Sequence, residues 1–129
     1  GGFMTISLMT NYPETFKVGV AGGPVIDWKW YEVMYGERYM ETEATNPEGF
    51  SQTSLIGKVD SLKGKLLICQ GAIDNTVVWE HSLSFVQKCI EKNVQLDYFP
   101  YPCSEHNVFG RWRIHLMDKV TDYFDDYLK

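Results

Sequence analysis

The run Lys65-Leu66-Leu67-Ile68-Cys69-Gln70 constrains the fold most, because its apolar positions are consecutive rather than alternating. A strand with one face in water alternates, whereas one covered on both faces does not. Gly71 closes it. Phe16-Lys17-Val18-Gly19-Val20-Ala21 has the same character beyond its lysine and ends at Gly22-Gly23-Pro24. A third strand is expected at Val94-Gln95-Leu96-Asp97-Tyr98-Phe99, ended by Pro100 and Pro102. Helical patterns separate and flank these runs. Phe3 to Thr10 reads as a short apolar helix stopped near Asn11 and Pro13. Leu83, Phe85, Val86, Cys89 and Ile90 form an apolar stripe between Ser82 and Lys92. Ile114, Leu116, Met117, Val120, Tyr123, Phe124 and Tyr127 do the same between Arg111 and Leu128. Strands alternating with helices predict an α/β fold: one parallel sheet flanked by helices, with right-handed crossovers.

No repeat, low-complexity stretch or long linker divides the 129 residues, so one structural unit is expected. A composition that is 44% hydrophobic and 22% charged is that of a packed globular chain. The net charge of −5 argues against nucleic acid, whose phosphates need a basic face. No apolar run approaches the ~18 residues of a membrane span, so no membrane contact is expected from this segment. Cys69, Cys89 and Cys103 match no metal spacing and are odd in number, which predicts buried free thiols, no metal and no cofactor. The opening Gly1-Gly2, without methionine, reads as a cut from something longer.

In parallel sheets, function gathers in the loops beyond the carboxyl ends of the strands. Two such loops carry titratable groups. Asp74 lies in Gly71-Ala72-Ile73-Asp74-Asn75-Thr76, and His106 lies in Ser104-Glu105-His106-Asn107. Alone, Asp74 reads first as a turn-former or helix cap, and His106 as a solvated loop residue. Together they follow the order of a hydrolase triad, Ser then Asp then His, on consecutive strand ends. There the aspartate fixes the tautomer of the histidine, which serves as general base. The upstream serines Ser7, Ser51, Ser54 and Ser61 lack the flanking glycines of a nucleophile elbow. Gly1-Gly2, followed at once by a helix, looks instead like the far side of one. His81 and His115 sit within or beside helical patterns and are expected to pack or face solvent.

At this point the chain resembles the prolyl oligopeptidase family, in its dipeptidyl peptidase IV branch. Gly1-Gly2-Phe3-Met4-Thr5 matches the end of the elbow motif Gly-Trp-Ser-Tyr-Gly-Gly, which implies a serine two residues before Gly1. Pro24-Val25, Trp28, Tyr31, Tyr35 and Glu37-Arg38-Tyr39-Met40 match as well, as do Gly71 to Val77 and Glu105-His106. Asp74-Asn75-Thr76-Val77-Val78-Trp79 and Glu105-His106-Asn107-Val108 look closest to bacterial prolyl tripeptidyl peptidases. Thr76 stands where dipeptidyl peptidase IV has an asparagine that helps hold the substrate backbone. The resemblance implies the C-terminal portion of an α/β-hydrolase domain, cut just after the elbow, with Asp74 and His106 catalytic. It implies an S1 pocket of Val25, Trp28, Tyr31, Tyr35 and Val77, with Tyr39 supporting the wall.

The aromatic segment supports that pocket on physical grounds. Val25, Trp28, Tyr31, Tyr35 and Tyr39 fall at spacings of three and four, so one helix would put much of the set on one face. A flat apolar wall suits a proline ring. Without the resemblance, plain core packing is the first reading of such a stripe. The resulting expectation is a fragment of a serine exopeptidase that releases N-terminal di- or tripeptides after proline, inactive by itself. The resemblance further implies a propeller domain upstream, a homodimer, and a periplasmic or cell-surface setting. An uncovered edge on the first strand also invites pairing with another chain. The alternatives are a hydrolase-like interaction module, or an esterase or acyl-peptide hydrolase.

Overall fold

A computed structural model describes all 129 residues. Its centre is a parallel sheet of three strands: β1 (Val18–Gly22), β2 (Lys65–Gly71) and β3 (Asp97–Tyr101), in the order β1-β2-β3. The register pairs Val18 with Lys65, Gly22 with Cys69, Leu67 with Asp97 and Gly71 with Tyr101. All three strands therefore end on one side. Five α-helices surround the sheet: α1 (Gly2–Asn11), α2 (Val33–Met40), α3 (Pro47–Thr53), α4 (Glu80–Glu91) and α5 (Gly110–Tyr127).

The consecutive apolar run of β2 is explained by its two covered faces. Every residue from Leu66 to Gly71 is buried. Leu66 and Ile68 join Ile6 and Met9 of α1, Phe85 and Cys89 of α4, and Leu55, Val59 and Leu62 in the larger core. Leu67 and Cys69 point the other way, against Tyr101, Val108 and Tyr123. α5 supplies that second cover. Burial pushes the thiols of Cys69 and Cys89 up to about 11, so both behave as small apolar groups. Cys103, expected to be buried, is exposed, because it lies in the loop after β3 rather than in the strand.

The chain departs from the expected elements where distant groups claim the backbone. Val25 to Met40 is not one helix. Val25 to Asp27 has no regular structure, Asp27 itself being extended, Trp28–Trp30 forms a single 3₁₀ turn, Tyr31 is extended again, and α2 begins only at Val33. Asp27 starts that turn by accepting the Lys29 N–H at 3.1 Å. The third strand starts at Asp97, not Val94, and runs through Pro100 to Tyr101. Val94 instead donates its N–H to the Cys89 carbonyl, folding back on the end of α4. Pro100 is tolerated because β3 is an edge strand, where a missing N–H costs no ladder bond. In α4 the buried face is His81, Ser82, Phe85 and Cys89, while Leu83 and Ile90 face solvent. α3 and a 3₁₀ segment at Ile56–Ser61 were not indicated by the periodicity. No helix is long and apolar enough to cross a membrane.

Candidate active site

The loops after the three strands meet at the carboxyl end of the sheet. Backbone bonds lace them together: Gly23 N–H to the Cys69 carbonyl (2.9 Å), Ala72 N–H to Tyr101 (2.9 Å), and Ile73 N–H to Ser104 (3.2 Å). Gly71 is pressed against the carbonyls of Ser104 and Glu105, so the Asp74 loop and the His106 loop touch where a side chain would not fit. Sequence distance is thereby converted into a contact.

Asp74 and His106, 32 residues apart, are brought within hydrogen-bond reach. The His106 Nδ1 lies 2.7 Å from the Asp74 Oδ2. The other carboxylate oxygen, Oδ1, accepts the N–H groups of Thr76 (2.9 Å) and Val77 (2.8 Å). The Asp74 side chain is fully buried, whereas that of His106 is 37% exposed. A carboxylate only accepts, so Nδ1–H is the donor of this bond, and in the neutral ring Nε2 is then the acceptor. That is the arrangement a general base requires.

A third residue completes the geometry from below. Gly23 adopts φ +48, and a Cβ placed on it would stand 2.9 Å from the His106 ring and 3.3 Å from Asp74 Oδ2. Gly2, the first residue of α1, is equally confined: its Cβ would meet the Gly22 carbonyl and Pro24 Cα at 2.7 Å. The N-terminus of α1 thus rests on the same Gly22-Gly23-Pro24 turn that backs the imidazole. Both glycines are dictated by space, and Gly23 by backbone angle as well.

The aromatic residues assemble beside this turn. The Trp28 ring stacks with Tyr35 at 6.4 Å between centroids and meets Tyr31 edge-on at 5.5 Å. Tyr31 and Tyr35 are 5.4 Å apart, and Tyr39 follows Tyr35 at 4.9 Å. Phe3 of α1 packs on the far edge of Trp28 at 5.1 Å. A cavity of about 260 Å³ opens among Trp28, Tyr35, Gly36, Tyr39 and Met40. Val25 and Val77 are buried, and neither they nor Tyr31 line this cavity. The expectation of one helical face is corrected: two short helical pieces, not one, converge the rings. Tyr39, 66% exposed, also borders the cavity.

A family model described as the prolyl oligopeptidase family matches residues 1–129. The chain belongs to that family. It is 41% identical over 113 residues to the Aspergillus oryzae protein named probable dipeptidyl-aminopeptidase B, covering 84% of this chain and 12% of that protein. The Neurospora crassa protein of the same name is 34% identical over 128 residues, 95% of this chain and 14% of its own length. Among solved structures, a Bacteroides ovatus chain provisionally named dipeptidyl aminopeptidase IV superposes with a TM-score of 0.96 at 54% identity, over 98% of this chain and 18% of that one. Porphyromonas gingivalis dipeptidyl peptidase 4 superposes with a TM-score of 0.94 at 30% identity, again over 98% and 18%. The chain therefore spans under a fifth of the length of these relatives. Its fold is the C-terminal part of the α/β-hydrolase architecture of the prolyl oligopeptidase family.

Two residues at this site escaped sequence reasoning. Gly23 was read only as a strand end, although Gly-Gly-Pro directly after a strand is a signal for close backbone approach. His81, expected to pack or face solvent, does pack and is fully buried, but its hydrogen bond to a distant backbone has no signal in the sequence. Its Nδ1 accepts the Ile26 N–H at 3.0 Å. His115 packs as expected, stacking on Phe99 at 5.6 Å and bonding to the Tyr101 hydroxyl at 2.9 Å.

Proposed function

We propose that the longer protein containing this chain is a serine exopeptidase that releases N-terminal di- or tripeptides after proline. The observation that carries this reading is the 2.7 Å contact between Asp74 and His106, seated on a glycine turn against which the first residue of α1 also rests. The nucleophile would be a serine two residues before Gly1, at the mouth of α1. His106 would take the serine proton through Nε2 as the hydroxyl attacks the scissile carbonyl, then return it to the leaving amine. Asp74 holds the ring and stabilises the imidazolium that forms between those steps. The backbone N–H of the residue after the serine would help bind the oxyanion.

The pocket of Val25, Trp28, Tyr31, Tyr35 and Val77 gives the reading its specificity. Its rings are mutually packed, which suits a rigid ring that brings no N–H to satisfy. Tyr39 borders the cavity at its exposed rim and supports the Tyr35 ring there. A non-catalytic interaction module would have no need of an aspartate whose two carboxylate oxygens take three hydrogen bonds, one of them from a histidine. The 129-residue chain alone lacks the nucleophile in this scheme and should form no acyl-enzyme.

The test uses the longer protein with chromogenic di- and tripeptides ending in proline or alanine. Proline-ended substrates should be cleaved by far the faster, and free N-termini should be required. Equal cleavage after alanine, or cleavage of acetylated peptides and simple esters alone, would move the protein to the esterase or acyl-peptide hydrolase class.

A further inference from the structure

The pocket wall poses a backbone problem. Val25 to Asp27 lies outside any helix or strand, so its polar groups must find partners elsewhere. Ile26 solves it with two distant ones: its N–H goes to His81 Nδ1 at 3.0 Å, and its carbonyl accepts the Leu55 N–H at 2.9 Å. Asp27 N–H also points at His81 Nδ1, at 3.5 Å. The Asp27 carboxylate then accepts from Lys29 N–H (3.1 Å) and the Ser54 hydroxyl (2.9 Å), fixing the turn that carries Trp28.

His81 itself is an unusual choice for the job. It is wholly enclosed in the first turn of α4, where its Nε2 makes no well-aligned hydrogen bond and the Trp30 backbone is a polar group near the ring. The Trp30 ring closes on it edge-to-face at 5.5 Å. A buried donor with so poorly aligned a partner is costly, and a leucine would fill the space without that cost. What only the imidazole supplies is the acceptor at Nδ1. The next residue reaches, through Gln70, the backbone of Val77, which the proposed function assigns to the same pocket. The Ser82 hydroxyl bonds to the Gln70 side-chain carbonyl, and the Gln70 amide donates to the Val77 carbonyl at 2.6 Å.

We infer that His81 is a positioning residue for the proline pocket: its Nδ1 holds the Ile26–Asp27 backbone and so sets where Val25 and Trp28 stand. The first turn of α4 reaches the pocket by two routes, His81 through Ile26 and Ser82 through Gln70 to Val77. This inference rests on the reading of that pocket as the site that takes proline. His81 touches no substrate in it.

The experiment compares His81→Leu and His81→Asn in the longer protein. Asparagine keeps an acceptor near the Nδ1 position, whereas leucine keeps only the volume. Each preparation is titrated with a fluorophosphonate so that only competent sites are counted. For His81→Leu, kcat/KM on proline-ended peptides should fall on the order of tenfold, the scale of one mis-set pocket contact, mostly through KM. Alanine-ended peptides should be almost unaffected, and His81→Asn should recover most of the loss. If leucine prevents folding, His81→Gln replaces it, since its polar end reaches toward Nε2 instead of Nδ1. A wild type with no preference for proline would overturn the pocket reading and this inference with it. A wild type that prefers proline, with the preference unchanged in His81→Leu or no better in His81→Asn, would overturn the role of His81 alone.

Discussion

The Asp74–His106 pair and the aromatic wall lie side by side but are held by different forces. The pair is fixed by directed bonds: Asp74 is buried and accepts three, and the loops on either side are laced by backbone contacts. The wall is fixed by packing. Its rings meet edge-on or stacked, and they open outward, with Tyr35 49% and Tyr39 66% exposed. Directed bonds leave one geometry, while ring packing tolerates several at similar energy. Proton transfer needs the first kind of support, and selection of a side chain can use the second. The predicted consequence is a steep response to change at the pair and a graded one at the wall.

The steepest response should come from Asp74→Asn. An amide can present its donor to the histidine and stabilise the wrong tautomer, which cost about 10⁴ in kcat in the chymotrypsin-like template. The same order is expected here for the longer protein, with KM little changed, read by steady-state kinetics on a proline-ended peptide. A loss seen in KM rather than kcat would erase the distinction between the two regions.

Gly23→Ala should come next. Its φ of +48 disfavours a Cβ, and that atom would stand 2.9 Å from the imidazole. Displacing a general base by about an ångström costs on the order of 100-fold. The loss should appear in kcat for every substrate alike, because Gly23 backs the pair and not the wall.

At the wall, Tyr35→Ala should lower kcat/KM for proline-ended peptides by about 10- to 200-fold, the range for lost contacts in an apolar pocket. Alanine-ended peptides should lose less, so the ratio between the two substrates is the quantity to measure. Tyr39→Ala, farther out, should change that ratio less than Tyr35→Ala.

The smallest effect is on stability and depends on pH. Burial, the main influence, lowers the His81 pKa from its ordinary 6.5, against opposing effects from the Trp30 backbone, Asp27, Glu80 and Asp74. The folded state therefore binds this proton less readily than the unfolded one. The associated stability is complete above pH 6.5 and is lost as pH falls below it. A protonated ring would also turn Nδ1 into a donor facing the Ile26 N–H. The unfolding temperature should thus drop between pH 7 and pH 5 by more in the wild type than in His81→Asn. Equal drops would assign the acid sensitivity to other groups.

The same contrast governs what could be read from the sequence. The charge-poor run of β2 announced a strand covered on both sides, and the aspartate and histidine one strand apart announced a pair at one end of the sheet. Those features follow from local pattern and chain order. The break at Asp27 to Tyr31 does not, because it arises from His81, more than fifty residues onward, taking the Ile26 N–H. A period of three and four is common to one helix and to two short ones with a kink between them. Gly23 was visible as a glycine, but its neighbour across space was not. Pro100 stopped the expected strand too soon, since only the topology shows that β3 lies at an edge.

The central claim is that Asp74 and His106 serve a serine at the mouth of α1. It is tested most directly by reacting the longer protein with a fluorophosphonate and locating the adduct by peptide mapping. The adduct should fall on a serine two residues before Gly1, and labelling should slow sharply in Asp74→Asn and His106→Ala. An adduct on any other residue, or a rate of labelling indifferent to both substitutions, would contradict it.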